Sequence, residues 1–207
     1  MNFVNGVDVS DFQPNVDWAQ VKSSGHSFGI SKATQSTDNV QTTFAGNMSS
    51  MRANGMVAGA YHFLSWHTDP VAQAQHFLSV YKPQNGDLPP ALDCEACDVS
   101  ADAAIAQMAK FLQTVEPHLG GARMLLYMSY SFPSGNLNGG SDFSGHPLWV
   151  AAYNSDPTPP VPPPWQNVVM WQYTDALQVA GISGGVDGDR FVGTLADLKA
   201  FALKNLP

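Results

Sequence analysis

Short β-rich runs recur along the chain and constrain its fold more than any other feature. Helix-like segments separate the first four runs, and others follow the fourth and the last run. Because strands that alternate with helices form parallel sheets with helical crossovers, eight such strands predict a closed α/β barrel. The candidate strands are 4–10, 28–34, 57–64, 90–95, 123–130, 147–153, 168–174 and 185–191. The candidate helices are 15–24, 40–54, 70–81, 100–117 and 194–205, with Asp69, Ser100 and Thr194 as N-caps.

The second half of the chain departs from this alternation. Residues 131–146 are rich in Gly, Ser and Asn, and 154–165 carry six prolines, so neither segment is predicted to be helical. The proline run has two interpretations, an interdomain linker or a rigid loop inside one domain. We favour the loop, because the residues after it are too few to bury a core of their own. The sequence therefore predicts one domain over 1–207, an incomplete (β/α)8 barrel with several outer helices missing.

The charge of the chain limits the partners that it can bind. Its net charge is −8 with only nine Lys and Arg residues, so we expect no binding to nucleic acid or to an anionic membrane. No apolar window approaches the length of a membrane span, and the N-terminus lacks the pattern of a secretory signal. We expect a soluble monomer that reaches its target by secretion or by release on lysis.

Four carboxylates are predicted to meet at the mouth of the barrel. Residues i and i+2 of a strand share a face, so Asp93 and Glu95 project together, and Asp8 points inward from the first strand. Asp187 is placed at the end of the last strand, which neighbours the first in a closed barrel. All four acids then lie at C-terminal strand ends, where barrel enzymes have their active sites.

Carboxylates that crowd together repel one another, which raises the pKa of at least one of them. A carboxyl that stays protonated near neutral pH, beside an ionised partner, is the requirement for acid-catalysed glycosidic cleavage. Two simpler interpretations stay open for Asp187, a turn residue or a calcium ligand together with Asp189. Neither explains why the four acids converge, so we interpret Asp8, Asp93, Glu95 and Asp187 as catalytic and expect no metal or other cofactor.

Aromatic residues accompany the acids along the same strands. Sugar rings present apolar faces that stack on aromatic side chains, although a core position is an equally good interpretation for each residue alone. The candidates for substrate binding are Tyr61, Tyr127, Tyr153 and Trp171. Of these, Tyr61 and Tyr153 lie at strand ends, which favours them over Trp171.

The same short stretch also contains a Cys-x-x-Cys pair, Cys94 and Cys97, which raises the alternative of a thiol oxidoreductase. Reactive pairs of this kind lie at an exposed helix N-terminus. Cys94 instead belongs to the fourth strand and alternates with Asp93 and Glu95, so its side chain is predicted to face the outer helices. Whether the two cysteines form a disulfide stays open.

The residues resemble a known family, glycoside hydrolase family 25, whose members are often called Chalaropsis-type lysozymes. The resemblance spans almost the whole chain, and the order and spacing of its motifs together are specific. They are "GVDVSDFQ", "SKAT", "GAYHF", "LDCE", "LWVAAY", "MWQYT" and "VDGDRF". The resemblance implies an N-acetylmuramidase that cleaves the β-1,4 bond between N-acetylmuramic acid and N-acetylglucosamine in bacterial peptidoglycan. It also implies a flattened barrel of the (β/α)5(β)3 type with five helices.

By position, the resemblance assigns the general acid/base to Glu95 and the orientation of the substrate's acetamido group to Asp93. Asp8 and Asp187 match two further acids that line the site. Family members are viewed as retaining enzymes in which the acetamido group is the nucleophile. One departure is that Ala96 stands where members commonly have Gly. The alternative to an enzyme is a barrel that binds peptidoglycan sugars without cleaving them.

Overall fold

The computed structural model of the protein describes residues 1–206, in which nine strands form one sheet. The first and second strands pair with each other and close eight of the strands into a barrel, while the two-residue third strand extends from the second. The order around the sheet is β1-β9-β8-β7-β6-β5-β4-β2-β3. The strands are β1 Phe3–Val9, β2 Phe28–Gln35, β3 Asn39–Val40, β4 Val57–Phe63, β5 Ala91–Asp93, β6 Leu125–Ser129, β7 Leu148–Ala151, β8 Met170–Leu177 and β9 Val186–Val192. The predicted closed α/β barrel is confirmed.

Helices pack on the outside of the barrel, and five of them match the predicted segments. The caps at Asp69, Ser100 and Thr194 are confirmed, because each side chain accepts a hydrogen bond from the first turn of its helix, as Asp69 does from the Ala72 N–H at 2.8 Å. The α-helices in residues 1–206 are α1 Trp18–Ser23, α2 Phe44–Ala53, α3 Pro70–Val80, α4 Ala101–Val115, α5 Phe132–Asn136 and α6 Leu195–Phe201, and two short 3₁₀-helices cover Glu116–His118 and Ser141–Phe143. None of them is long and apolar enough to cross a membrane.

Helix α5 falls in 131–146, where the sequence predicted no helix. Pro133 lies in its first turn, where a missing N–H costs nothing and the fixed φ suits a helix. Phe132 is buried, and its ring stacks on Trp66 with the centroids 6.1 Å apart. The burial of this one aromatic ring stabilises a short helix that the local composition disfavours.

The last strand corrects the prediction of a fully parallel barrel. β9 runs antiparallel to both β8 and β1, whereas the other barrel strands pair in parallel. The connection 178–185 is too short for a helical crossover, so β8 and β9 form a hairpin. Asp187 therefore lies at the start of its strand rather than at the end, and it reaches the barrel mouth because the strand direction is reversed.

Strand alternation divides the core into two layers. Val7 and Val9 face the helices, as predicted, while the alternating positions fill the barrel. The interior cluster consists of Val4, Phe28, Ile30, Val57, Leu88, Ala91, Leu125, Trp149, Met170, Phe191, Leu198 and Ala202. Leu198 belongs to α6 and Ala202 caps its C-terminus, and this helix covers the end of the barrel opposite Asp8 and Asp187. The barrel interior is therefore filled by side chains at the end that α6 covers and is open at the mouth, where Asp8 and Asp187 lie.

The proline run 154–165 connects two strands of this barrel, β7 and β8. Trp165 at its end is buried, and its Nε1–H donates to the carbonyl oxygen of His146 at 3.0 Å. The run is therefore a loop packed against the barrel, as we expected from the sequence, since β8 and β9 belong to the same sheet as the strands before it.

Substitution of two glycines by alanine tests how tightly the interior of the barrel is packed. A Cβ atom on Gly6 would lie 2.3 Å from the Phe28 ring inside the barrel, whereas a Cβ on Gly46 of α2 would meet open space. We expect Gly6→Ala to lower the free energy of unfolding by about 1–3 kcal/mol through overpacking. The control Gly46→Ala is expected to raise it by about 0.5–1 kcal/mol through helix propensity. Urea denaturation measures both, and a neutral Gly6→Ala would contradict this description of the interior.

Candidate active site

A cavity of about 170 Å³ opens at the mouth of the barrel. All four predicted catalytic acids line it, and so do three of the four predicted aromatic residues. The lining residues are Asp8, Tyr61, Asp93, Glu95, Tyr127, Trp149, Tyr153, Gln172 and Asp187. The structure thus brings together residues from seven strands or the loops that follow them.

Asp8 and Asp187 converge because their strands pair. They lie opposite each other in the β1–β9 ladder, as expected for the first and last strands of a closed barrel. Asp8 is 5 % exposed, whereas Asp187 is half-buried nearer the opening. The two acids therefore form one wall of the cavity at different depths.

Asp93 and Glu95 form the opposite wall, but they do not both belong to a strand. The sequence predicted a strand over 90–95, whereas β5 ends at Asp93. Asp93 is buried, and Glu95 lies in the following loop with its side chain exposed. The Trp66 Nε1–H donates to the Glu95 carbonyl oxygen at 2.8 Å, which fixes the backbone from which this side chain extends.

The loop after Glu95 turns sharply at Ala96. This residue has a φ of +49°, in the left-handed region that favours glycine, at the position where related sequences were expected to have Gly. Cys94 is fully buried in the outer layer, as predicted, and burial raises the pKa of its thiol. Both cysteines are free thiols. A buried thiol with a raised pKa is a poor nucleophile, which argues against the oxidoreductase alternative.

Burial is the largest cause of the pKa shifts of Asp8 and Asp187, the two acids of the first wall of the cavity. It raises the pKa of Asp8 well above its ordinary value, and the nearby carboxylates of Asp189 and Asp187 raise it further. Burial likewise raises the pKa of Asp187 to about 6 and that of Asp189, which is fully buried below it, to about 8. These carboxyl groups are protonated at a higher pH than in water because their charged forms are desolvated close to one another.

Asp93 has a raised pKa for the same reason, with burial as the largest cause and the neighbouring Glu95 as the next. The Lys32 ammonium opposes this shift. Lys32 extends from β2, where it pairs with Tyr61 of β4, and its Nζ donates to Gln35 Oε1 at 2.7 Å. Within residues 1–206, no hydrogen-bond partner is present for Asp93 Oδ1. This buried oxygen is therefore available to a ligand.

Gln172 connects the two tyrosines to the first wall. Its Oε1 accepts hydrogen bonds from the hydroxyl groups of Tyr127, at 2.8 Å, and Tyr153, at 2.6 Å. Its Nε2 donates to Asp8 Oδ2 at 2.8 Å. Below this network, the Trp149 Nε1–H donates to Asp189 Oδ1 at 2.9 Å. The polar side chains of the cavity are thus held in fixed orientations before any ligand binds.

Trp171 does not lie in the cavity, which corrects its prediction as a substrate-binding residue. Its ring is 1 % exposed in the outer layer, and its Nε1–H donates to the Ala152 carbonyl oxygen at 2.8 Å. The physical reason is alternation along β8, where Gln172 points inward and Trp171 therefore points outward.

Four residues of the site were not predicted as catalytic or substrate-binding, namely Lys32, Trp149, Gln172 and Asp189, of which Asp189 was considered only as a calcium ligand. Three of them could have been found from the rule that identified the acids. Lys32 follows Ile30 by two residues, Gln172 follows Met170 by two, and Asp189 follows Asp187 by two, so all three alternate inward with residues of the interior.

The arrangement is suited to acid-assisted hydrolysis of a sugar polymer. Exposed Glu95 lies beside buried Asp93, and aromatic rings with neutral hydroxyl groups surround them, since burial raises the pKa of Tyr61, Tyr127 and Tyr153. Among residues 1–206, no group of three or more His, Cys, Asp or Glu side chains is arranged to hold a metal ion. A barrel with paired carboxyl groups and aromatic walls at its mouth has the architecture of a glycoside hydrolase.

Comparison with known proteins agrees with this class. The family model described as "Glycosyl hydrolases family 25" matches residues 7–182. The chain therefore belongs to glycosyl hydrolases family 25 and is a glycoside hydrolase, as the resemblance of its motifs predicted.

Individual relatives and structures support the assignment. Lysozyme M1 of Streptomyces globisporus is 32 % identical over 96 % of this chain and 71 % of its own length. The N,O-diacetylmuramidase of a Chalaropsis species is 28 % identical over 89 % of this chain and 94 % of its own. The bacterial lysozyme from Streptomyces coelicolor superposes with a TM-score of 0.89 at 28 % identity, covering 98 % of both chains. The fold is thus shared over nearly the full length.

The buried acids predict an unusual dependence of stability on pH. The pKa of Asp189 is about 8 in the folded protein against an ordinary value of 3.8, so the folded state holds a proton that the unfolded state has lost. Its contribution to stability is full below pH 4 and is lost as the pH rises through 8. Asp189→Asn removes this titration, so its free energy of unfolding should fall less than that of the wild type between pH 4 and 8, by at least about 2 kcal/mol.

Denaturation curves at pH 4, 6 and 8 measure this difference. The control is Asp38→Asn, which changes an exposed aspartate and should reproduce the wild-type profile. If the free energy of unfolding of Asp189→Asn changed with pH in parallel with that of the wild type, Asp189 would be ionised in the folded protein at all three pH values, which would contradict the prediction.

Proposed function

We propose that the protein is an N-acetylmuramidase that hydrolyses the β-1,4 bond between N-acetylmuramic acid and N-acetylglucosamine in bacterial peptidoglycan. One observation supports this proposal most directly: an exposed Glu95 and a buried Asp93 lie together in the cavity at the barrel mouth. Within residues 1–206, Asp93 Oδ1 has no hydrogen-bond partner. We further propose that residues 1–207 form one catalytic domain that works without a cofactor. Pro207 lies outside the described residues.

In this mechanism Glu95 is the general acid and then the general base. Its side chain is exposed at the opening of the cavity, so it can reach the oxygen of the scissile bond and give it a proton. After the leaving sugar departs, the same carboxylate takes a proton from the incoming water. The Glu95 carbonyl oxygen accepts a hydrogen bond from Trp66, which fixes the backbone at this residue. The carboxyl group therefore stays close to the scissile oxygen in the first step and to the incoming water in the second.

Asp93 acts on the acetamido group of the sugar in the cavity. The unpaired Oδ1 accepts a hydrogen bond from the acetamido N–H while the acetamido oxygen attacks the anomeric carbon. Positive charge develops on the acetamido group in this step. The ionised form of Asp93, which the Lys32 ammonium favours against the effect of burial on its pKa, stabilises that charge more strongly than water would. The product of the step is a cyclic intermediate of the sugar, and water opens it with net retention.

Asp8 and Asp187 complete the wall across the cavity from Asp93. The Gln172 side chain donates to Asp8 and accepts from Tyr127 and Tyr153, so the acid and the two phenols are oriented together. We assign Tyr61, Tyr127 and Tyr153 to substrate contact, since all three line the cavity together with the acids. This set positions the sugar, and Asp187, whose pKa is raised to about 6, adds negative potential around the developing positive charge at pH values above 6.

The names of similar proteins support peptidoglycan as the substrate, since they include a lysozyme and an N,O-diacetylmuramidase. We propose that the protein acts on the cell wall as a monomer, after secretion or after release by a phage. One structural neighbour is the CTP1L endolysin, at a TM-score of 0.79 and 30 % identity, which accords with the second route.

The first test is the variant Glu95→Gln. It keeps the shape of the side chain but has no proton to give, so we expect the rate of peptidoglycan clearing to fall by about 100-fold or more. The control is Asp98→Asn, which changes an exposed acid of the same loop that pairs with His67 outside the cavity, and it should clear at the wild-type rate.

Circular dichroism and thermal denaturation should show that both variants are folded. Full clearing by Glu95→Gln would refute its role as the acid. A wild-type protein that binds wall fragments but releases no reducing ends would instead identify a sugar-binding barrel without activity.

A further inference from the structure

The backbone of Glu95 is held from a neighbouring loop. β5 ends at Asp93, so Glu95 lies beyond the sheet, and its carbonyl oxygen accepts the Trp66 Nε1–H at 2.8 Å. Trp66 belongs to residues 64–68, which connect β4 to the N-cap of α3 and which we call the tryptophan loop. The orientation of the Glu95 carboxyl group therefore depends on where this loop places the indole ring.

One buried side chain of α3, that of Gln73, holds the tryptophan loop on both sides of Trp66. Its Nε2 donates to the carbonyl oxygens of Ser65, at 2.9 Å, and Thr68, at 3.1 Å. Its Oε1 accepts the Ser65 N–H at 2.8 Å. The side chain of Gln73 is fully buried, so these bonds form without competition from water. A side chain without an amide group at this position would make none of them.

His62 fixes the orientation of the Gln73 amide. The Oε1 of that amide lies 3.1 Å from His62 Nε2. Because an amide oxygen only accepts hydrogen bonds, Nε2 is the protonated ring nitrogen, and Nδ1 accepts the Thr34 hydroxyl proton at 2.7 Å. Burial lowers the pKa of His62 to about 3, so the ring stays neutral above that pH. A rotated amide would turn its donors toward the Nε2–H, so the observed orientation is the one that satisfies both side chains.

Two further contacts hold Trp66 itself. Gln107 of α4 donates from Nε2 to the Trp66 carbonyl oxygen at 2.9 Å, and the indole ring stacks on Phe132 of α5. These contacts fix one peptide group and the plane of the ring, whereas Gln73 fixes the chain before and after them. Loss of the Gln73 bonds would therefore loosen the tryptophan loop while the stacked ring stays in the core.

We propose that Gln73 is a positioning residue of the active site, which holds the tryptophan loop in the conformation from which Trp66 fixes Glu95 at the scissile oxygen. The inference rests on the proposed muramidase function, in which Glu95 is the general acid. Small displacements of such a group from the reacting oxygen are costly in rate. Among residues 1–206, no hydrogen bond of Gln73 goes to a residue that lines the cavity, so it acts on Glu95 through the loop.

The first test is kinetic. Gln73→Met keeps the length of the side chain and removes its hydrogen bonds, so kcat for the release of reducing ends from solubilised peptidoglycan should fall at least tenfold. KM should change less than twofold, because the residues that bind the sugar are untouched. The matched control is Gln75→Met, the same change at an exposed position of α3, which should keep both wild-type values. A folded Gln73→Met with wild-type kcat would overturn the inference and leave the muramidase proposal intact.

A double-mutant cycle tests whether Gln73 acts through Trp66. Trp66→Phe keeps an aromatic ring against Phe132 but removes the Nε1–H, and it should also lower kcat at least tenfold. Adding Gln73→Met to Trp66→Phe should then lower kcat by less than a further threefold, because the bond through which Gln73 acts is already absent. Effects that multiply would contradict this route. Should Gln73→Met fail to fold, wild-type kcat in Trp66→Phe would by itself rule the inference out.

A measurement that does not depend on activity follows the indole N–H groups by NMR. The chain has five tryptophans, and the other four indoles are internal controls because each donates to an acceptor of its own. These pairs are Trp18 with Asn47, Trp149 with Asp189, Trp165 with His146 and Trp171 with Ala152. In Gln73→Met, the Trp66 indole N–H should exchange with solvent at least tenfold faster than in the wild type, while the other four are unchanged.

This exchange experiment separates failure of the inference from failure of the proposed function. Unchanged exchange at Trp66, or equally faster exchange at all five indoles, would overturn the positioning role of Gln73 whatever the activity of the protein. A wild-type protein that releases no reducing ends would instead refute the muramidase proposal, and the exchange rates would still report whether Gln73 holds Trp66.

Discussion

The antiparallel pairing of β1 with β9 is the constraint on which the rest of the structure depends. The ladder joins Phe3–Asp8 to Asp187–Val192 and closes the barrel where a parallel strand would need a helical crossover. It also brings Asp8 directly opposite Asp187 at the mouth. Asp189, two residues further along β9, lies deeper in the barrel. Closure of the fold and assembly of the first wall of the active site are therefore the same event, and the loss of one entails the loss of the other.

The second constraint is electrostatic, because this closure buries carboxyl groups with little positive charge to balance them. Burial raises the pKa of Asp8, Asp93, Asp187 and Asp189, and Lys32 is the cation that opposes the shift at Asp93. Neutral donors replace cations elsewhere, with Gln172 Nε2 on Asp8 and Trp149 Nε1 on Asp189. The site thus contains protonated carboxyl groups and carboxyl oxygens without hydrogen-bond partners, both of which lower the stability of the folded protein. A sugar with hydroxyl and acetamido groups can donate hydrogen bonds to those oxygens. Strain of this kind is typical of functional sites.

Much of this site could be predicted because strand alternation has a period of two and needs no knowledge of packing. It placed Asp8 and Asp93 inward and Cys94 outward, and the same rule, applied to every strand, would also have found Lys32 and Gln172 and rejected Trp171. The direction of β9 was missed because the parallel pattern was extended to the last strand, although the short segment 178–185 leaves no room for a crossover helix.

Other features depend on contacts between distant residues and could not be read from the sequence. The helix at Phe132 exists because its ring finds Trp66, and the exposure of Glu95 follows from the early end of β5 at Asp93. The small side chains that line the mouth beside Glu95 depend on the register between β6 and β7, which pairs Ser129 with Ala151. A shift of one residue would have paired different side chains at the mouth, and composition alone does not fix that register.

The central claim is that this barrel cleaves the glycosidic bond on the reducing side of N-acetylmuramic acid. Mass spectrometry of purified peptidoglycan after digestion tests it most directly, because the identity of the new reducing end, labelled by borohydride reduction, fixes which bond was broken. We expect muropeptides that end in reduced N-acetylmuramic acid. Fragments that end in reduced N-acetylglucosamine, or fragments cut only in their peptides, would contradict it.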